Sequence, residues 1–378
     1  MLMSPTETLW VLGILVFFIS LIPPAIHYSR SRIASRAFEA PPAVDFRPSL
    51  TVLLPMKDEK TNVSRKIDEL LSMSYPKDQL RLLVIDSGST DGTDRLAQTH
   101  LEENASGVRW KVISLDRPGK SVAVNHALGI VDSEVFVMMD ADSISGQDTL
   151  ERLANWFAQP EIGAVCGQLK HQWPTHDLPY RRRFNTIRVG ESVMDSTPIF
   201  EGSVCAFRTK AIGDSRIDPN INADDSQLAM LVRTNGYRAL MDPKILFIED
   251  SNANPSRGRK VRRAQGLSRA LVSNFSLIRQ QGKYSSIVLH SLYFHLVMPW
   301  LVLASLTSVI GASAIEYLYS PPAQELTPNG IVMWGAILLL FISSTARGLL
   351  VGISILLESH IRLLLGQKLN VWSTDRQD

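Results

Sequence analysis

VFVMMDADSI, residues 135–144, is an apolar run that ends on two aspartates, Asp140 and Asp142, with no cation adjacent in the sequence. In an extended chain residues i and i+2 project to the same side, so both carboxylates at a strand end converge on one point. Two anions that close raise each other's pKa unless something positive lies between them. A divalent metal ion suits the place, because it is bound by hard oxygen ligands and shares its remaining positions with a substrate phosphate. An acidic loop after a strand is the competing reading, and the triplet alone does not separate the two.

Outward from this stretch, short apolar runs alternate with longer polar, helix-like ones. LTVLLP (50–55), LRLLVID (80–86), WKVISL (110–115) and EVFVMMD (134–140) read as strands, with helices expected near 59–72, 91–103, 119–130 and 146–158. Continuous β-branched and leucine runs separated by helices predict a largely parallel sheet covered on both faces, a doubly wound α/β layer. Ligands of such sheets bind outside the carboxyl ends of the strands. The first strand ends at Pro55 and leads to Asp58 and Glu59, the second ends at Asp86 in DSGSTDGT, and the fourth ends at Asp140 and Asp142. Asp91 is placed to cap the following helix, whereas Asp86 precedes the turn and is available to a base or sugar hydroxyl. Lys120, in RPGKSVAVNHAL, stands at a helix N-terminus against the macrodipole, a penalty that a bound anion would offset.

The 378 residues carry a net charge of +2 and 45% hydrophobic residues, which points neither to disorder nor to nucleic-acid binding. Thr8 to Ile26 is uncharged and nearly long enough for a hydrocarbon layer of about 30 Å, so 8–28 is expected to be an anchor. Arg30, Arg32 and Arg36 follow, and the positive-inside rule then puts the next segment in the cytosol. There Cys166 and Cys205 would be free core thiols. Further spans are expected at 284–315, interrupted by Pro299, and at 331–357. Arg347 lies within the last, but its fifteen Leu, Ile, Val and Phe residues, at roughly −0.3 to −0.6 kcal/mol each, outweigh about +3 kcal/mol for one central arginine. A shorter span ending near Ala346, with an interfacial helix after it, is the alternative. Between the anchor and these spans lie a catalytic-type domain at 45–255 and a basic interfacial helix at 256–283.

In this order and spacing the pieces resemble the inverting glycosyltransferases of family 2, with their GT-A fold, and in particular those acting on polyprenyl phosphates or ceramide. The matching segments are LPMKDE, VIDSGSTDGT, GKSVAVNHAL and MMDADS, then EGSVCAFR (201–208) and NADDSQLAMLVRTNGYRAL (222–240). The resemblance covers roughly residues 50 to 270. It implies a UDP- or GDP-sugar donor bound by Pro55, Asp58, Glu59, Asp86, Lys120 and Asp140, and Mg²⁺ or Mn²⁺ held by Asp140 and Asp142. It also implies Asp225 as catalytic base beside Asp224, and Gly202 on the acceptor side.

The family's membrane synthases continue with a Gln/Arg-x-x-Arg-Trp signature. Here the nearest match is RKVRRAQG, with Arg262 in the arginine position and Arg263 in place of tryptophan. Loss of that aromatic argues against a processive polysaccharide synthase. Arg259, Arg262 and Arg263 suit a phosphate or an anionic lipid instead, and Arg181 to Arg183 in YRRRFN either hold headgroups or keep the domain against a bilayer. His171, His176, His290 and His295 show no metal-ligand spacing, and no nucleophilic triad or P-loop is present. The expectation is a membrane glycosyltransferase acting on a lipid or lipid-linked acceptor at the cytosolic face. A nucleotidyltransferase on a similar sheet, or a catalytically silent scaffold, are the alternatives.

Overall fold

The computed structural model describes residues 4–42, 44–170, 178–249, 256–279, 282–319, 335 and 343–369. The chain opens with a 31-residue helix, α1 (Pro5–Ser35), closed at its start by a capping box between Ser4 and Glu7. Next come β1 (Leu50–Met56), α2 (Val63–Ser72), β2 (Leu80–Asp86), α3 (Thr93–Asn104), β3 (Arg109–Ser114), α4 (Lys120–Leu128) and β4 (Val135–Met139). A second set comprises β5 (Ser143–Ser145), α5 (Thr149–Trp156), β6 (Ile162–Leu169), α6 (Leu178–Met194), β7 (Val204–Arg208), α7 (Thr209–Ile212), α8 (Asp224–Thr234) and β8 (Arg238–Glu249). The four strands and four helices read from the sequence in the first half are present, with ends shifted by a few residues.

The strands form one sheet in the order β3-β2-β1-β4-β7-β6-β8-β5. The first four are parallel, as the apolar runs require. Beyond β4 the sheet is mixed: β6 and β8 are parallel, whereas β7 runs antiparallel to both β4 and β6 and β5 runs antiparallel to β8. That reversal matters for the site: it sets the start of β7 beside the end of β4, with Met139 opposite Val204. Every residue of β1 and of β4 is buried, which is why these strands read as unbroken apolar runs rather than alternating ones. Helices α2, α3 and α5 pack on one face and α4 and α8 on the other, each over its own cluster of aliphatic side chains.

The C-terminal part is helical: α9 (Arg257–Ser273), a 3₁₀ turn at Phe275–Arg279, α10 (Lys283–Leu292), a π-helical turn at Tyr293–Val297, α11 (Met298–Tyr319) and α12 (Ser344–Leu364). The π turn lies immediately before Pro299, whose missing N–H and ring crowd the preceding turn. Two helices among the described residues are long and apolar enough to cross a membrane by length and composition, Pro5–Ser35 and Lys283–Tyr319. They pack together at Gly13, where a Cβ would lie 2.9 Å from Val309, and Ser305 donates to the Gly13 carbonyl at 2.8 Å. Trp10 Nε1 donates to Glu316 at 2.9 Å. The first part of the expected segment 331–357 falls mostly outside the described residues; from Ser344 on it is helix α12, which rests on α9 and α6.

Helix α1 is also fastened to the sheet domain. The His27 ring lies 2.8 Å from Glu191 on α6, and Glu191 accepts a second bond from Thr197 at 2.7 Å. Gly190 lets the two backbones touch, since any Cβ there would collide with the Ser31 carbonyl. His290 completes a group of three metal-type ligands, but it stacks on His27 with centroids 3.7 Å apart and planes 13° apart. Face-to-face rings direct their lone pairs along parallel planes instead of at a shared point, so the group works as a latch between helices and not as a metal centre.

Candidate active site

The carboxyl ends of β1, β2 and β4 and the start of β7 open on a cleft of about 970 Å³. Its near wall is built by two loops stitched together through acids. Asp58, at φ 51°, accepts from the Thr90 amide at 2.8 Å, and its own amide donates to Ser89 Oγ at 2.8 Å. Asp91 accepts from the Thr93 hydroxyl at 2.6 Å and from the Lys60 and Thr93 amides at 3.1 and 3.0 Å; burial would raise its carboxyl, and these bonds, the hydroxyl's first, hold it below the usual range. Pro55, Asp58 and Glu59 line the cleft. Asp86 does not: it is 2% exposed, and Ser89 occupies it through both its amide and its hydroxyl. Its work in this structure is to close the turn that carries Ser89 and Thr90.

Asp140 and Asp142 both face the cleft. They are set there from two sides. The Asp140 amide donates to the Ser203 carbonyl at 3.2 Å, which ties it to the start of β7. Behind Asp142, the buried Lys66 donates to the Ser143 carbonyl at 3.0 Å, and Glu69 accepts from the Ser145 amide at 2.9 Å. Neither Lys66 nor Glu69 was legible as a support, because both sit in an ordinary amphipathic helix pattern.

The acid pair is less bare than its sequence neighbours suggest. Lys120 reaches across from the start of α4 and places Nζ 2.7 Å from Asp140 and 3.4 Å from Asp224. Burial alone would raise the Asp140 carboxyl, and the ammonium reverses this and holds it below the usual range. Burial likewise works against the charged lysine, and Asp140 and Asp224 outweigh it, keeping Lys120 well above its ordinary value. The penalty of a cation at a helix N-terminus is thus offset by side-chain carboxylates.

Asp224 and Asp225 occupy the first turn of α8. Asp225 accepts from the Ser226 amide at 2.8 Å, and burial, then the neighbouring Asp224, push its carboxyl up to about 7. Gly202 faces it: a Cβ there would lie 3.0 Å from Asp225 Oδ2. The Gly202 segment is fixed by Glu201, which accepts from Arg188 at 2.6 Å and from the Leu169 amide at 2.7 Å. Both cysteines are free and buried.

The far wall is basic. Arg181 and Arg188 of α6, Arg259, Arg262 and Arg263 of α9, and Arg362 and Lys368 at the end of α12 all line the cleft. Gly266 brings α9 into direct contact with the Asn222 carbonyl, and Gln265 ties α9 to the segment after α12, donating to the Gln367 carbonyl at 3.0 Å and accepting from the Leu369 amide at 2.7 Å. Arg263 lies 3.9 Å from Glu249, at the end of β8. The contribution of α12 and Gln265 was not foreseen from the sequence, since it joins residues a hundred positions apart.

The oxygen chemistry of the near wall fits a divalent cation. Asp140 and Asp142 are hard ligands open to the cleft, and burial raises the nearby Glu249 carboxyl against Arg263, with Asp142 and Asp140 adding to the rise.

A family model described as glycosyl transferase family 2 matches residues 51–215, and one described as glycosyl transferase family group 2 matches residues 135–346, more than half of the chain. The chain belongs to glycosyltransferase family 2. Among family 2 relatives, an N-acetylglucosaminyltransferase of Azorhizobium caulinodans is 24% identical over 213 residues, 52% of this chain and 53% of that one. A beta-monoglucosyldiacylglycerol synthase of Synechocystis is 28% identical over 129 residues, 31% of this chain and 25% of that one. The chain therefore spans about half the length of the first relative and a quarter of the second. A mannosyltransferase from Pyrobaculum calidifontis, solved in complex with GDP-Man and Mn²⁺, superposes with a TM-score of 0.82 at 25% identity, covering 95% of this chain and 99% of that one. The sheet and its helices are the mixed α/β layer of a GT-A-like glycosyltransferase fold.

Proposed function

We propose that this family 2 glycosyltransferase transfers a sugar, with inversion, from a UDP- or GDP-sugar to a lipid or lipid-linked acceptor at the cytosolic face of a membrane. The observation that carries the reading is the division of one cleft into an acidic wall at the strand ends and an arginine-rich wall on the helices that adjoin the apolar ones. GDP-Man and Mn²⁺ in the mannosyltransferase neighbour support a nucleotide-sugar donor and a divalent metal. The name of the glucosyldiacylglycerol synthase relative supports a lipid acceptor.

On this reading Pro55, Asp58, Glu59 and Lys120 hold the donor, and Asp140 and Asp142, beside Glu249, hold Mg²⁺ or Mn²⁺. Once bound, such an ion offsets the negative charge that develops on a diphosphate leaving group. Asp86 serves the donor indirectly, by shaping the turn under it. A carboxylate with a pKa near 7 is suited to accept a proton from an attacking hydroxyl, and Asp225 is in that range. Gly202, with no side chain, leaves the Asp225 oxygen open to the acceptor. Arg259, Arg262 and Arg263 bind a phosphate or headgroup through charge-assisted hydrogen bonds. Residues 8–28 and 284–315 cross the membrane, 45–255 form the catalytic domain, and 256–283 lie at the interface. Arg30, Arg32 and Arg36 keep the domain on the inner side, with 331–357 as a third crossing or, in its later part, a helix at the interface.

The test is product analysis. Protein in lipid nanodiscs is incubated with a panel of UDP- and GDP-sugars, with and without chelator. Release of a nucleoside diphosphate that stops on chelation is expected. Pyrophosphate as product would make the protein a nucleotidyltransferase, and no turnover with no metal-dependent donor binding would make it a silent scaffold.

A further inference from the structure

Lys120 has a place in the site that donor binding alone does not explain. Its ammonium sits between the aspartate of the metal pair and the acid pair that heads α8, 2.7 Å from Asp140 and 3.4 Å from Asp224, and its side chain is only 14% exposed. Asp224 Oδ2, buried, accepts no hydrogen bond among the described residues, so this ammonium is the charge it faces. The backbone that carries the lysine is pinned, so only its side chain can move: Ser87 accepts from the Gly119 amide at 2.7 Å, and Ser121 donates to the Ile221 carbonyl at 3.3 Å.

We propose that Lys120 is a built-in counter-ion that competes with the divalent metal for Asp140, so that the metal enters with the nucleotide and not before it. This rests on the metal-dependent reading of the cleft given above. The ammonium occupies Asp140 Oδ1, and a second cation on the same carboxylate is repelled by it. A metal arriving alone therefore binds against this repulsion, or pushes the ammonium off Asp140 to a place where Asp224 is its remaining contact. A metal arriving with a diphosphate brings two further anionic groups to which the displaced ammonium can turn. The lysine thus weakens binding of the bare ion and strengthens binding of the metal–nucleotide pair. The two affinities become coupled, and each ligand raises the affinity of the other by the same factor.

The test compares wild type, Lys120→Met and Lys120→Arg in detergent or nanodiscs. Free Mn²⁺ is titrated by electron paramagnetic resonance, alone and with saturating GDP or UDP, and thermal unfolding confirms that each variant is folded. Wild type is expected to bind Mn²⁺ weakly alone and at least tenfold more tightly with whichever nucleotide it accepts. Lys120→Met is expected to bind Mn²⁺ alone about tenfold more tightly than wild type and to lose most of the gain from the nucleotide, whereas Lys120→Arg retains the coupling. Unchanged or weakened binding of bare Mn²⁺ in Lys120→Met, with wild type still binding the metal–nucleotide pair, overturns the counter-ion role and leaves the proposed function standing. Failure of wild type to bind Mn²⁺ with either nucleotide removes both.

Discussion

The two walls of the cleft are built in different ways. The acidic wall comes from residues at the ends of parallel strands and the short loops that follow, so each acid is placed by a few neighbours: Asp58 by Ser89 and Thr90, Asp140 by Ser203, Asp142 by the segment that Lys66 and Glu69 hold. The basic wall is assembled from three helices, with Arg188, Arg262 and Arg362 brought together from positions far apart in the chain. Local hydrogen bonds place the acids of the first wall in the absence of any ligand. The second depends on how α6, α9 and α12 sit against one another, and through α6 on the His27–Glu191 latch to α1. If the proposed function holds, the difference assigns donor chemistry to the sheet, and acceptor choice to helices whose positions are tied to α1.

Mutations on the two sides should therefore separate cleanly. The largest effect is expected at the boundary: Asp225→Asn should lower transfer to a hydroxyl acceptor by roughly 10²–10⁴-fold, measured as single-turnover rate, while donor affinity changes little. Substantial residual turnover would mark an acceptor that is already ionised, such as a lipid phosphate. Next, Asp142→Ala should abolish the metal-dependent part of nucleotide binding by calorimetry without altering acceptor binding. On the other wall, Arg262→Ala together with Arg263→Ala should raise the acceptor KM by about tenfold, the pattern for lost binding in ground and transition states alike, and leave the donor constant unchanged. Gly202→Ala joins the walls again. Its Cβ would press on Asp225 Oδ2 at 3.0 Å, so kcat should fall by a smaller factor than in Asp225→Asn.

The smallest expected effect is on stability. The Asp225 carboxyl is raised to about 7 in the fold, against about 3.9 in an unfolded chain. Between those values the folded state keeps a proton that the unfolded state has released, so this residue's contribution to stability is lost as pH rises from about 4 to about 7. In the presence of chelator, the melting temperature of Asp225→Asn should fall less over that range than wild type, by roughly a few degrees.

The same contrast explains what the sequence disclosed. β1, β2 and β4 and the acids that follow them were readable because a buried parallel strand is a continuous apolar run, and because strand-end polar residues follow it directly, whereas β3, at the sheet edge, is half exposed. At Asp86 the sequence shows an anion before a turn but not that Ser89 folds back onto it. The antiparallel β7 and the edge strand β5 were outside what hydrophobic pattern can tell, since pairing direction is decided by connections. Lys120 was visible only as a lysine at a helix start. Its partners lie 20 and about a hundred residues away, and no local signal links them. The arginines of α9 stood out as a cluster, whereas the share of α12 in the same wall, through Gln265, did not.

One measurement bears most directly on the claim that the acidic wall is a metal-bound donor site: a crystal or cryo-EM structure of the protein with Mn²⁺ and GDP or UDP. The account predicts a manganese ion ligated by Asp140 and Asp142 and by oxygens of the diphosphate, with Lys120 withdrawn from Asp140. A nucleotide bound elsewhere, or one in the cleft with no ion between it and these two aspartates, would contradict it.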